Sequence, residues 1–222
     1  LSLVGSEMCI RDRPEVVQAL CAALADSAEA VRLAAAQSLS ELKSLEAGQL
    51  ILPWVKHGDA FVRASALRAL RELRLEDAAG PALLALDDLD AGVRREAVGI
   101  LGWLKHQPAL PALARLAAEE PDTEVRRAAI GALGLARDAT VLLALTAALR
   151  DDAWQVREEA ATTLGKVGHE QAGPALIEAL QDGYWQVRLR AARSLGRLRH
   201  RPALGGLAEL LGHSIALSLI HI

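Results

Sequence analysis

The sequence predicts an all-α fold of stacked helix pairs, and three observations carry that prediction. The dipeptide Val-Arg recurs at Val31-Arg32, Val62-Arg63, Val93-Arg94, Val125-Arg126, Val156-Arg157 and Val187-Arg188, in steps of 31, 31, 32, 31 and 31 residues. Within a copy, apolar residues fall on the Val and then 4, 8 and 11 residues later, which is one face of a helix and not the alternation of a strand. The 222 residues are 52% hydrophobic but only 3% aromatic, so Ala and Leu must fill the core, as close-packed helices allow. A fixed period of this length marks a repeat array in which each unit buries its face on the next.

Each unit reads as helix A, a tight turn and helix B. The A helices are predicted near 14–25, 47–57, 79–88, 108–119, 139–150, 171–181 and 202–212. The B helices are predicted near 29–42, 60–73, 91–104, 123–136, 154–167 and 185–198. Pro81, Pro174 and Pro202 open A helices, where a missing N–H does no harm. Asp59, Asp90, Asp122, Asp152 and Asp182 precede the B helices, where a carboxylate can accept the unpaired N–H groups of the first turn. Asp26 to Glu29 and Asp152 to Gln155 have capping-box spacing. Gly102, Gly134, Gly165 and Gly196 share one position in helix B. A glycine there costs about 1 kcal/mol against Ala, so close interhelical contact is the expected compensation. Ser40 and Arg71 replace it in the first two copies, which should pack differently.

The run acid, turn, Val-Arg-x-x-Ala-apolar-x-x-Leu-Gly-x-Leu, clearest from Val156 to Val167 and from Val187 to Leu198, resembles HEAT-like repeats of the short-repeat, phycobilisome-lyase type. The resemblance covers Pro14 to Gly212. It implies a right-handed α-solenoid of about six and a half repeats, with the B helices lining the concave side. It also implies a ladder of Asp and Arg between neighbouring repeats, carried by Asp59, Arg63, Asp90, Arg94, Asp122, Arg126, Asp152 and Arg157.

Both termini resemble translated sequencing adapter. Leu3 to Asp12 is what a transposase-type adapter encodes, and Leu217 to Ile222 is what the reverse complement of its transposase end encodes. Residues 1–13 and 217–222 are therefore expected to be foreign, and 14–216 to be one repeat array from a longer protein. Without the adapters Cys21 is the one cysteine left, an apolar core residue on the first A helix. The net charge of −3, with 10 basic against 13 acidic side chains over residues 14–111, gives no attraction to nucleic acid. No stretch reaches the ~18 apolar residues of a membrane-spanning helix, and a cytoplasmic location is expected.

Enzymatic motifs are sparse. There is no His-Glu-x-x-His, Cys-x-x-Cys, phosphate-binding or dinucleotide-binding glycine pattern. His169-Glu170 resembles the His-Glu pairs of iron-binding HEAT enzymes that hydroxylate a modified lysine, but it stands alone in a loop. No cofactor, metal or catalytic residue is expected.

Binding candidates come from departures from the repeat. Trp154 and Trp185 hold equivalent positions at the turn entering helix B, with Tyr184 beside the second, and large aromatics concentrate at interaction hot spots. Trp103 shares a column with Glu41, Glu72, Leu135, Lys166 and Arg197, a mixture that marks an exposed position. Arg190, Arg193 and Arg197 lie on one helix face within a stretch free of acids, and Glu159 is placed to pair with Arg190. Trp54 reads as packing. These residues favour a noncatalytic scaffold binding a protein or peptide on the concave face and the Trp-bearing rim. The alternatives are part of a phycobilisome-type chromophore lyase or isomerase and, less favoured, a DNA-binding HEAT-like protein.

Overall fold

The computed structural model describes residues 12–136, 139–203 and 205. Among them it has twelve α-helices and no strand. The A helices are α1 (Pro14–Ala23), α3 (Leu45–Ile51), α5 (Ala79–Ala85), α7 (Leu110–Glu119), α9 (Leu142–Ala148) and α11 (Gly173–Ala179). They alternate with the B helices α2 (Glu29–Ser40), α4 (Ala60–Leu73), α6 (Ala91–Trp103), α8 (Thr123–Ala136), α10 (Trp154–Val167) and α12 (Trp185–Leu198). The fold is thus the all-α repeat of the solenoid class that the period predicts. The chain divides at His106 and Gln107 into two compact units.

The B helices follow the predicted limits to within two residues, and several carry a local start or stop. Asp59 caps α4 by accepting from Phe61 N and Val62 N, and Asp90 caps α6 by accepting from Val93 N. At the other end Arg74, Lys105, Gly168 and Arg199, at matching positions of four copies, take left-handed backbone angles with φ of 57°, 51°, 83° and 51°. That conformation ends a helix by turning the chain back on its last carbonyls. Three A helices, α7, α9 and α11, start two or three residues later than predicted, since a short 3-10 turn comes first: Gln107–Ala109, Ala139–Val141 and Glu170–Ala172; α1 and α5 start where predicted and α3 slightly earlier. The predicted A helix at 202–212 falls mostly outside the described residues, as do both adapter-like segments apart from Asp12 and Arg13. The two expected capping boxes do not form. Ala28 and Ala153 sit at the cap positions of α2 and α10, and Asp26 instead accepts from Ala28 N at 2.7 Å.

In the first unit α4 packs between α2 and α6; in the second α10 packs between α8 and α12. The core is aliphatic, with Val62, Ala66, Leu70, Val156, Ala160 and Leu164 at zero exposure. Val31, the first of the series, is exposed because no described helix pair precedes it. Cys21 is fully buried, and burial pushes its thiol up to about 12, so it is the inert core residue expected.

The shared glycines show why Ala is absent from that position. A Cβ on Gly165 would run into Ser194, whose Cα lies 3.0 Å away, and one on Gly134 would meet Thr163 Cγ2. Gly196 has nothing within 4 Å among the described residues, so the contact expected there is not seen. Where Arg71 replaces the glycine, its guanidinium lies over Gly99 and reaches the buried Glu96, Nη1 to Oε2 at 2.7 Å. Arg68 donates to the other oxygen of Glu96 at 2.9 Å, so this copy joins its neighbour through charge rather than close helix contact.

Candidate functional site

The turn between helices A and B is the most elaborate polar structure of each copy. Five residues before the Val stands a side chain that accepts the N–H two residues on: Asp26, His57, Asp88, Glu120, Asp151 and Asp182. The Arg after the Val then clamps the same turn. Arg157 Nη1 donates to the carbonyls of Asp151 and Asp152 at 2.7 and 3.1 Å, and Arg63, Arg94, Arg126 and Arg188 repeat the pattern on their own turns.

The free edge of the guanidinium reaches the next copy. Arg63 grips Asp88 at 2.7 and 2.8 Å, Arg126 grips Asp151 at 2.9 and 3.0 Å, and Arg157 grips Asp182 at 2.6 and 3.0 Å. The ladder therefore uses Asp88, Asp151 and Asp182 rather than the assigned Asp90, Asp122 and Asp152, while the assigned Asp59 joins it through Arg32. Asp90 and Asp122 point into their own helices as caps, while the exposed Asp152 contributes its carbonyl. The signal was available as a column five residues before the Val, acidic in every copy but one.

Burial opposes ionisation of Asp88 and Asp182, but the Arg hydrogen bond and the turn N–H outweigh it and hold both below the usual carboxylate range. The same pairing raises Arg63 and Arg157.

His57 is the exception in the column. Its Nδ1 accepts from Asp59 N at 3.1 Å and its ring stacks on Trp54, but it cannot serve as a carboxylate for Arg32. Arg32 turns instead to Asp59, at 2.8 and 2.9 Å, and lies over the Phe61 ring. Burial raises Asp59 and is again outweighed, by Val62 N and Arg32 first. The Arg32–Asp59 pair has side chains 25% and 36% exposed, against 17% and 13% for Arg63–Asp88. Substituting His57→Asp is therefore expected to move Arg32 into a drier pairing. The gain is about 0.5–1 kcal/mol, read at neutral pH as a thermal midpoint raised by roughly 1–4 °C; an unchanged or lowered midpoint contradicts the assignment.

On the same edge of the second unit stand the aromatic candidates. Trp154 stacks on Tyr184 of the next copy with ring centres 5.6 Å apart and planes at 15°. Arg157 lies over the Tyr184 ring at 5.6 Å. Tyr184 and Trp185 stay 48% and 45% exposed. The aromatic pair that forms across copies is thus Trp154 with Tyr184, with Trp185 open beside it. In the first unit Trp103 is half-exposed beneath the guanidinium of Arg74, 4.7 Å from its ring centre.

The basic face of α12 is placed as expected but paired differently. Arg190 Nε donates to Glu158 Oε1 at 2.9 Å rather than to Glu159. Glu159 turns to Thr163 at 3.3 Å and to Lys166 at 3.9 Å. Arg193 is half-buried and Arg197 exposed. His169 and Glu170 begin a 3-10 turn, and no cluster of metal-ligating side chains occurs among the described residues. No described helix is long and apolar enough to cross a membrane.

Comparison with known proteins accounts for the period. The model for HEAT repeats matches residues 7–71, 49–134, 80–154, 116–196 and 142–216. No match was found among curated proteins. Among solved structures, the Escherichia coli protein YibA aligns at a TM-score of 0.69 and 21% identity, covering 96% of this chain and 81% of its own. The complex of CpcE and CpcF of phycocyanin lyase from Nostoc sp. aligns at 0.51 and 20%, covering 94% and 86%. A designed armadillo repeat protein in complex with the peptide (KR)4 aligns at 0.60 and 18%, covering 82% and 99%. At these identities the likeness is one of fold. With the family model spanning the six Val-Arg copies, the chain belongs to the HEAT repeat family.

Proposed function

We propose that this array is a noncatalytic scaffold that holds a protein or peptide on its B-helix surface and its Trp-bearing turn edge. The observation that carries the reading is the cluster of Trp154, Tyr184 and Trp185, where two half-exposed aromatic rings stand on a structure otherwise filled with Ala and Leu. Ordered aromatic surface of that size is characteristic of interaction hot spots. Two of the chains of similar fold support it: one is in complex with a peptide and another belongs to a two-protein complex.

The test is selection of peptides from a random display library on the array, followed by titration against the Trp154→Ala, Trp185→Ala double variant. Affinity is expected to fall at least tenfold, about 1.4 kcal/mol, with far-UV circular dichroism unchanged. Should the double variant unfold, those rings are core and the reading is lost; equally, unchanged affinity removes them from the site.

A further inference from the structure

Helices α8, α10 and α12 pack side by side in the second unit, α10 in the middle. Ten residues after its Val, each presents one side chain: Leu135, Lys166 and Arg197. All three are exposed, Leu135 at 42% and Lys166 at 56% of its side chain. The row runs from apolar to basic across three adjoining helices, and one turn earlier on α12 lies Arg193.

The charges around the row leave it with a net positive field. Glu158 is taken up by Arg190 at 2.9 Å, and Glu124 by Arg127 at 2.7 Å. Glu159 approaches Lys166 only at 3.9 Å and accepts from Thr163. Among the described residues no acid forms an ion pair with Arg193 or Arg197, and the stretch from Arg188 to Arg201 contains none.

Resting on the scaffold reading above, we infer that this row binds an extended acidic peptide with a three-residue repeat: an apolar side chain on Leu135, and carboxylates three and six residues away on Lys166 and Arg197. The register follows from two lengths. Packed helices are spaced about 8–10 Å apart, and an extended chain in polyproline II conformation advances about 3.1 Å per residue with about three residues per turn. Every third residue of the ligand therefore meets the next helix, with the two between pointing away or along the groove. Charge complementarity selects the ligand: basic heads at the second and third steps favour carboxylates, while Leu135 at the first favours an uncharged side chain. Arg193 offers a second donor to the last carboxylate, and the forked guanidinium of Arg197 suits bidentate pairing with it.

Fluorescence anisotropy with labelled peptides tests this on the full chain. One peptide carries Leu-Gly-Ser-Glu-Gly-Ser-Glu between neutral flanks, and a control carries the same residues with both Glu adjacent. The in-register peptide is expected to bind at least fivefold tighter, with affinity falling as salt rises. Lys166→Glu with Arg197→Glu is expected to weaken it about tenfold or more, and a peptide with Lys in place of both Glu to regain binding to that variant. Lys166→Gln with Arg197→Gln gives the same direction if the reversal disturbs folding.

Equal affinity for the two peptides overturns the inference, as does a duplex DNA of matched charge that binds tighter and loses affinity on the reversal. Library-selected peptides sensitive to the Trp double variant but indifferent to the charge reversal overturn this row and leave the scaffold reading standing. Insensitivity to both sets of substitutions removes the two together.

Discussion

Substituting Arg157→Met is expected to lower the unfolding free energy by about 2–4 kcal/mol. The guanidinium and the Asp182 carboxylate it grips are 14% and 10% exposed, so the pair is largely shielded from water. Removing the cation strands the carboxylate and strips the carbonyls of Asp151 and Asp152 of their donor. The loss should appear as a lower denaturant midpoint with an unchanged slope. Lys at this position should rescue little of it, because one ammonium cannot reproduce the fork that spans two carbonyls and a carboxylate. The acid dependence follows from the lowered Asp182 and Asp88. A carboxylate whose folded value is depressed adds stability in full above its unfolded value, about 4, and loses it as pH falls through the folded value. Stability should thus decline below about pH 4, less steeply in Asp182→Asn. An Arg157→Met variant as stable as the parent would reduce the ladder to ornament.

Gly165→Ala is expected to destabilise by about 1–3 kcal/mol, although Ala is the better helix former by about 1 kcal/mol. The added methyl has no room against Ser194, whose hydroxyl is held by the carbonyl of Ala161 at 2.7 Å and whose backbone cannot withdraw without parting α10 from α12. Gly131→Ala is the matched control. Its Cβ would touch only the end of Glu159, at 3.5 Å, so propensity should prevail and raise stability. Thermal unfolding of the two variants should move in opposite directions. A rise in both would show that helix propensity, and not interhelical contact, governs Gly165.

The architecture was legible because the pattern that encodes it is periodic. Val, Ala and Leu at helical spacing place every B helix, and the glycine column foretold the approach of α10 to α12. The starts of α7, α9 and α11 were not legible, since the 3-10 turn that precedes each of them leaves no distinct signature among small residues. The ladder was half legible. Its arginines stand out, but two acidic columns flank each turn, and the nearer column, Asp59, Asp90 and Asp122, has the ordinary spacing of a helix cap. Which column faces the neighbouring copy depends on how far successive helix pairs are stepped, which no single copy contains. The choice between Glu158 and Glu159 as the partner of Arg190 is likewise made between copies and not within one. The exposure of Trp103 was readable from its mixed column, whereas the stack of Trp154 on Tyr184 needed the spacing of two copies.

In the second unit the clamped turns form one continuous rail. Arg126 holds Asp151, the backbone of Asp151 is held by Arg157, Arg157 holds Asp182, and the backbone of Asp182 is held by Arg188. Such a rail fixes the distance between successive turns, whereas farther along α10 and α12 the join is mostly apolar, with Arg190–Glu158 and Ser194–Ala161 as its polar links. Thermal bending of the unit should therefore resemble the opening of a fan pinned at its turns. A ligand lying across the B helices would feel its widest excursions far from the pins, and the aromatic cluster, seated on them, would offer the steadiest ground.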